Sequence, residues 1–317
     1  MTNERRLLRN IEIPSIEDND DGLLKIVQLH RRIRNITSSI KPKTEGIRFV
    51  FDNCTDFSPS GIAYLGAIST RLKSKKIRVY YNFRSMPQNI LNLFKETGFL
   101  QKNFHKHFAK DKIPSTSINF ENFVGNIQTD AQVSSKIVNY IQSKWLSDNN
   151  ISIMPLLKEA LSSKMFELFA NALEHSKSPL GCFCCGKNFN EKGKQRLTLT
   201  IIDLGIGIVN SVKKYFSDNE QKISSEAAVK WAFTYGKTTR SDQSGGLGLA
   251  LVEDFLNVSN GEMKILCNDT QLDIKGNNKK YSFMPVAFSG TIIEINMRPS
   301  EHGLYGFKNE FEGVHSS

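Results

Sequence analysis

Residues 244 to 251 read SGGLGLAL, preceded at a distance by DLGIGI at 203 to 208 and by ELFANALEHS at 167 to 176. In the first stretch Gly245, Gly246, Leu247 and Gly248 run directly into a helical pattern from Leu249 to Leu256. Unpaired amides at such a helix start, reinforced by the positive dipole end, suit phosphate oxygens. The second stretch closes an apolar, β-branched run from Leu197 to Leu204, the pattern of a buried strand entering a tight turn. Asp203 at that strand end can accept a hydrogen bond from an exocyclic amine, and Gly205 and Gly207 leave room for a flat ring. An ordinary strand-end turn would look the same. In the third stretch Glu167, Asn171 and His175 stand four apart, so a helix aligns them on one face. Such a stripe can simply meet water, yet this one has no Lys or Arg between Lys164 and Lys177.

Taken in this order, on a helix, a strand turn and a loop-to-helix junction, the three stretches read as an ATP site. Residues from about 150 to 298 resemble the ATP-binding domain of the GHKL superfamily, shared by gyrase, mismatch-repair ATPases, sensor histidine kinases and anti-sigma-factor kinases. The resemblance implies an α/β sandwich with a mixed sheet under a layer of helices. It implies Glu167 as the general base, Asn171 as a Mg²⁺ ligand and His175 near the phosphates. Asp203 would take the adenine amino group, Gly205 and Gly207 would shape its pocket, and Thr291 in SGTIIEINM would lie behind the ring. Gly245, Gly246, Leu247, Gly248 and Leu249 would hold the triphosphate. A carboxylate near the attacking oxygen, a metal and backbone donors are the components phosphoryl transfer requires.

The segment YGKTTRSDQS, 235 to 244, is polar, flanked by glycines and without apolar period. It reads as a lid, with Lys237, Thr238, Thr239 and Arg240 placed to approach the γ-phosphate; solvated loop residues are the competing reading. Ser244 stands where many relatives have the first glycine of the box.

From Gly46 to Leu100 strand-like IRFVFDN and IRVYYNF alternate with helix-like GIAYLGAISTRL and MPQNILNLFKETGFL, the last stopped by Gly98. Alternation of this kind suggests a small α/β layer domain. Residues 10 to 105 resemble the STAS domains of anti-sigma-factor antagonists. There a serine in an Asp-Ser-Ser-Gly turn is phosphorylated, whereas this chain has Ser58, Pro59, Ser60 and Gly61. Proline at the acceptor position has no hydroxyl. Ser58 is expected to cap the following helix, and Ser60 to be a first-turn surface residue.

The expected organisation is a STAS-like α/β domain at 1–110, a connector at 111–133, a GHKL domain at 134–300 and a tail at 301–317. A chain of 317 residues with 39% hydrophobic content accommodates two units. No apolar stretch reaches membrane-spanning length and no secretory signal opens the sequence, so the expected location is cytoplasmic. Cys182, Cys184 and Cys185 sit in GCFCCG; a metal site is one reading, and an alternating strand with cysteine as a small apolar filler is the favoured one. The net charge of +10 raises nucleic-acid binding as a competing class, with RLKSKKIRVYYNFR at 71 to 84 as its densest cluster. A solvated helix end explains that cluster as well.

The favoured function is a slow Mg²⁺-dependent ATPase whose nucleotide state, ATP or ADP, switches a protein partner, with ATP-favoured dimerisation in many relatives. One alternative is a serine/threonine kinase of the anti-sigma-factor type acting on a separate STAS-like or operon-encoded protein. Another is a non-hydrolysing, ATP-bound scaffold in a stress or phage-defence system.

Overall fold

The computed structural model describes residues 7–42, 44–108, 113–114, 117–174, 176–191, 194–234, 250–300 and 303–312. The chain begins with β1 (Leu7–Glu12), α1 (Asp20–Thr37), β2 (Glu45–Val50), α2 (Pro59–Ser74) and β3 (Arg78–Tyr81). Asn19 starts α1 by accepting the Asp21 and Gly22 amides at 3.1 Å each. Ser58 caps α2 through the Gly61 amide, with Pro59 at the first helical position, where no donor is lost. The three strands form a parallel sheet in the order β1-β2-β3. α3 (Gln88–Glu96) ends at Gly98, whose φ of +70° provides the left-handed stop, and α4 (Phe99–Asn103) and α5 (His105–Phe108) follow.

The second half contains β4 (Glu121–Phe123), α6 (Ala131–Tyr140) continued by a π turn at Ile141–Trp145, β5 (Ser152–Ile153) and α7 (Pro155–Glu174). Then come β6 (Cys182–Glu191), β7 (Lys194–Asp203), α8 (Ile208–Asp218), α9 (Ser225–Ala232), α10 (Ala250–Val258), β8 (Glu262–Lys275), β9 (Asn278–Met297), β10 (Leu304–Tyr305) and α11 (Lys308–Glu312). Five strands join as β4-β6-β7-β9-β8, antiparallel at each pairing, so the parallel pairs lie in the amino-terminal sheet and in the short β5-β10 pair. The whole is a layered α/β architecture, as the alternation of periods predicts.

The central part of the five-stranded sheet, around β7 and residues 288–297 of β9, is buried on both faces. Alternation along the strands sends Cys184, Leu199, Ile201, Ile265 and Ile295 to one side, where they share a core with α6, α7 and α10. Phe183, Cys185, Ile202, Leu266 and Ile292 point to the other side and join the core of α1, α2 and the amino-terminal sheet. The apolar side chains on this second face contribute about 1.5–3 kcal/mol each on burial. The two halves therefore share one packed layer.

Three segments differ from their sequence-based expectation. The stretch expected to be a connector supplies β4, an edge strand paired with β6, and buries Ile118 and Phe120. It has only three strand residues, too few to show a period. The tail pairs β10 with β5 and brings Glu310 to the start of α7, where its carboxylate accepts the Leu156 amide at 2.8 Å and the Leu157 amide at 3.2 Å. A negative group at that helix end stabilises it. Ser60 is not a surface residue: it is 1% exposed, bonds the Ser58 hydroxyl at 2.7 Å and faces Glu294 on β9.

Glu294 lies among Asp18, Lys264 and Glu262, with Arg196 paired to Asp18. Burial pushes its carboxyl up to about 8, and the Asp18 charge adds to the effect, while Lys264 and the Ser60 hydroxyl oppose it. The native state therefore keeps a proton that the unfolded chain releases near 4.5, and stability falls as pH rises from that value through about 8. Glu294→Gln should raise the melting temperature at pH 8 and change it little at pH 5, read by circular dichroism. An equal loss at both values would contradict a protonated Glu294.

Candidate functional site

The carboxyl end of β7, the facing part of β9 and the last turns of α7 enclose a pocket lined by Leu168, Asn171, Ala172, Asp203, Gly207, Ile208 and Thr291 among others. Its apolar walls follow from strand period, since Ile201 and Ile293 lie two residues from Asp203 and Thr291 on the same face. The pocket is a narrow slot with about 20 Å³ open to the centre of a water molecule. That is room for one or two waters.

Asp203 is the buried polar group of this slot, 2% exposed. It is paired in register with Thr291, and its Oδ1 accepts the Gly205 amide at 2.8 Å. Burial pushes its carboxyl up to about 7, offset in part by the Gly205 amide and by the Thr291 hydroxyl and amide. A carboxyl so placed can accept a hydrogen bond when ionised and donate one when protonated, near neutral pH.

The turn after Asp203 owes its glycines to neighbouring protein. The Ile206 amide bonds the Ser176 carbonyl at 2.8 Å, which brings the chain so close that a Cβ on Gly205 would lie 2.0 Å from that oxygen. Gly207 has φ of +79°, and a Cβ there would meet the Asn268 side chain at 2.4 Å. Gly205 thus packs against the segment that follows α7, and Gly207 borders the slot. Asn268 holds the turn by donating to the Ile206 carbonyl at 2.9 Å and accepting the Asn210 amide at 3.3 Å.

On α7, Asn171 reaches the slot, whereas Glu167 lies one turn earlier, is half-buried, and accepts a bond from Lys164 at 2.7 Å. His175, Lys237, Thr238, Thr239, Arg240, Ser244, Gly245, Gly246, Leu247, Gly248 and Leu249 lie outside the described residues. α10 begins where the glycine box was expected to lead into a helix. Cys182 and Cys184 face the core on one side and Cys185 the core on the other; all three are buried, and burial pushes their thiols up, Cys184 to about 12. Among the described residues no group of three or more His, Cys, Asp or Glu side chains could hold a metal, and no helix is long and apolar enough to cross a membrane.

Sequence reasoning missed Ser176 and Asn268. Ser176 follows the helix directly and was legible as its end. Asn268 was not, because it sits at a β8 irregularity with φ of +53°, sixty residues from the turn it supports.

No family model matches the chain, and no curated protein matches it. One solved structure it is similar to is the topoisomerase IV ATP-binding domain of Francisella tularensis in complex with a small-molecule inhibitor, at 13% identity and a TM-score of 0.25. That match covers 52% of this chain and 42% of the other, a likeness too slight to transfer a fold or a site.

Gly205→Ala should destabilise the protein by about 1–3 kcal/mol, because the contacting atom is a backbone oxygen that must move. Urea denaturation measures this, and an unchanged midpoint would contradict the close approach at Ser176.

Proposed function

We propose that this chain binds an adenine nucleotide in the slot between α7, β7 and β9, and that the bound nucleotide controls a protein partner. The observation that carries this reading is Asp203: a buried carboxyl at the end of an apolar slot, poised to accept one hydrogen bond. An adenine amino group is a suitable donor, and the apolar walls suit the ring faces. The slot would have to widen by side-chain movement to admit the base. The GHKL resemblance of DLGIGI, ELFANALEHS and SGGLGLAL supports the same assignment.

In this reading Asn171 would hold a Mg²⁺ ion, which when bound would neutralise phosphate charge. Glu167 would activate the attacking water, and for that its carboxylate must leave Lys164. Lys237, Thr238, Thr239 and the 245–249 box would serve the phosphates. A slow ATPase switch is the favoured activity. The kinase alternative requires an acceptor outside this chain, because Ser58 and Ser60 are both buried at the junction of the two halves.

Ionised Asp203 accepts from the amino group, so ligand binding should lower its pKa, and affinity should fall as pH drops from 8 to 6. Adenosine is the probe of choice in calorimetry, since its lack of phosphates removes their titration from the profile. Asp203→Asn should weaken binding about tenfold or more and flatten this dependence. Tight, pH-independent adenosine binding by the variant would overturn the assignment. Separately, Glu167→Gln should abolish phosphate release from Mg·ATP while sparing ATP binding; full turnover by this variant would remove Glu167 from the reaction.

A further inference from the structure

The basic stretch at 71 to 84 divides in the folded chain. Arg71 and Tyr81 turn toward the core, the first half-buried near Tyr64 and the second stacked on Phe51 with Phe49 edge-on and Phe99 tilted beside it. Lys73, Lys76, Arg78 and Tyr80 stay outside and line one shallow groove of about 530 Å³. A tight turn sets this arrangement: the Lys76 amide bonds the Lys73 carbonyl at 2.9 Å, and the Ile77 amide returns to Leu72 at 3.0 Å. β3 follows as an edge strand, with Arg78 and Tyr80 on the outward face.

The same face continues across the sheet. Arg48 is the registered neighbour of Tyr80 and is exposed, as is Asn10 beside it on β1. Tyr80 is 39% exposed, and its ring lies across Gly46, where a Cβ would come within 3.4 Å of it. Lys73, Lys76, Arg78 and Arg48 have no ion-pair partner among the described residues, and the nearby Glu45 is engaged by Arg9 at 3.1 Å. An open sheet face thus presents an aromatic ring amid four uncompensated cations, in a chain of net charge +10.

We propose that this face binds single-stranded nucleic acid, with Tyr80 as a stacking platform for a base and Lys73, Lys76, Arg78 and Arg48 along the phosphates. Cations in a groove combined with an exposed ring on a sheet are the two elements that sequence-tolerant single-strand binding uses, because every base offers a π-face. A duplex hides those faces and presents grooves instead. An acidic peptide would use the cations but not the ring. The site lies apart from the Asp203 slot and stands or falls independently of it.

The test is fluorescence anisotropy of the full chain with labelled twelve-residue oligo-dT, oligo-rU and duplex DNA, and with poly-glutamate and phosphatidylserine vesicles as competitors. Both single strands should bind more tightly than the duplex, with affinity falling steeply as salt rises. Relative strengths of dT and rU distinguish a DNA from an RNA ligand. Arg78→Glu and the Lys73→Glu, Lys76→Glu pair should each weaken binding about tenfold and reduce the salt slope. Tyr80→Ala should cost about fivefold or more, and Tyr80→Phe should restore it. All four positions are exposed, so unchanged melting curves should accompany these losses, and excess adenosine should not displace the oligonucleotide. No single-strand binding at low salt, equal binding of duplex and single strand, indifference to Tyr80→Ala, or equal competition by poly-glutamate or vesicles would each overturn the proposal.

Discussion

Strands β7 and β9 bury side chains on both of their faces, and the architecture follows from the need to cover both. On one side α7 and its neighbours seal Leu199, Ile201, Ile293 and Ile295. On the other, the amino-terminal unit brings α1 and α2 against Ile202, Leu204 and Ile292. Without this second cover a row of apolar and polar groups, including Thr198, Thr200 and Glu294, would meet water in mid-sheet. The amino-terminal half is therefore structural support for the sheet that carries the candidate site. Of its polar contacts, Ser60 with Glu294 ties α2 to the sheet and Arg196 with Asp18 ties the segment leading into α1.

The slot inherits its geometry from that frame. Asp203 and Thr291 face each other across adjacent strands, so sheet pairing sets their separation. Asn171 is held by α7, whose first turn is clasped by Glu310 from the far end of the chain. The turn from Leu204 to Gly207 is pinned between Ser176 and Asn268. These contacts pre-organise a buried acceptor without satisfying it by an opposite charge, and burial accordingly raises its pKa. An ordinary structural aspartate at a strand end would be expected nearer to solvent or to an Arg.

Much of this arrangement was legible in the chain because it depends on short-range pattern. The run from Leu197 to Leu204 announced β7, the four-residue spacing of Glu167 and Asn171 announced α7, and Ser58-Pro59 announced the start of α2. α1 begins with the same kind of local pattern, Asn19 followed by apolar residues at helical spacing. What could not be read depends on contacts distant in sequence. Ser60 looks like a surface residue in a first turn until Glu294, more than two hundred residues later, is placed over it. The close approach of Gly205 to Ser176 has no local sign either, and nor does Glu310, which caps a helix begun at Pro155.

Photolabelling with 2-azido-ATP followed by peptide mapping asks whether the slot around Asp203 receives an adenine ring. Label is expected on peptides containing residues 168–176, 201–208 or 291–293 and should be abolished by excess ATP. Absence of label, or label scattered over the surface and insensitive to competing ATP, would contradict it.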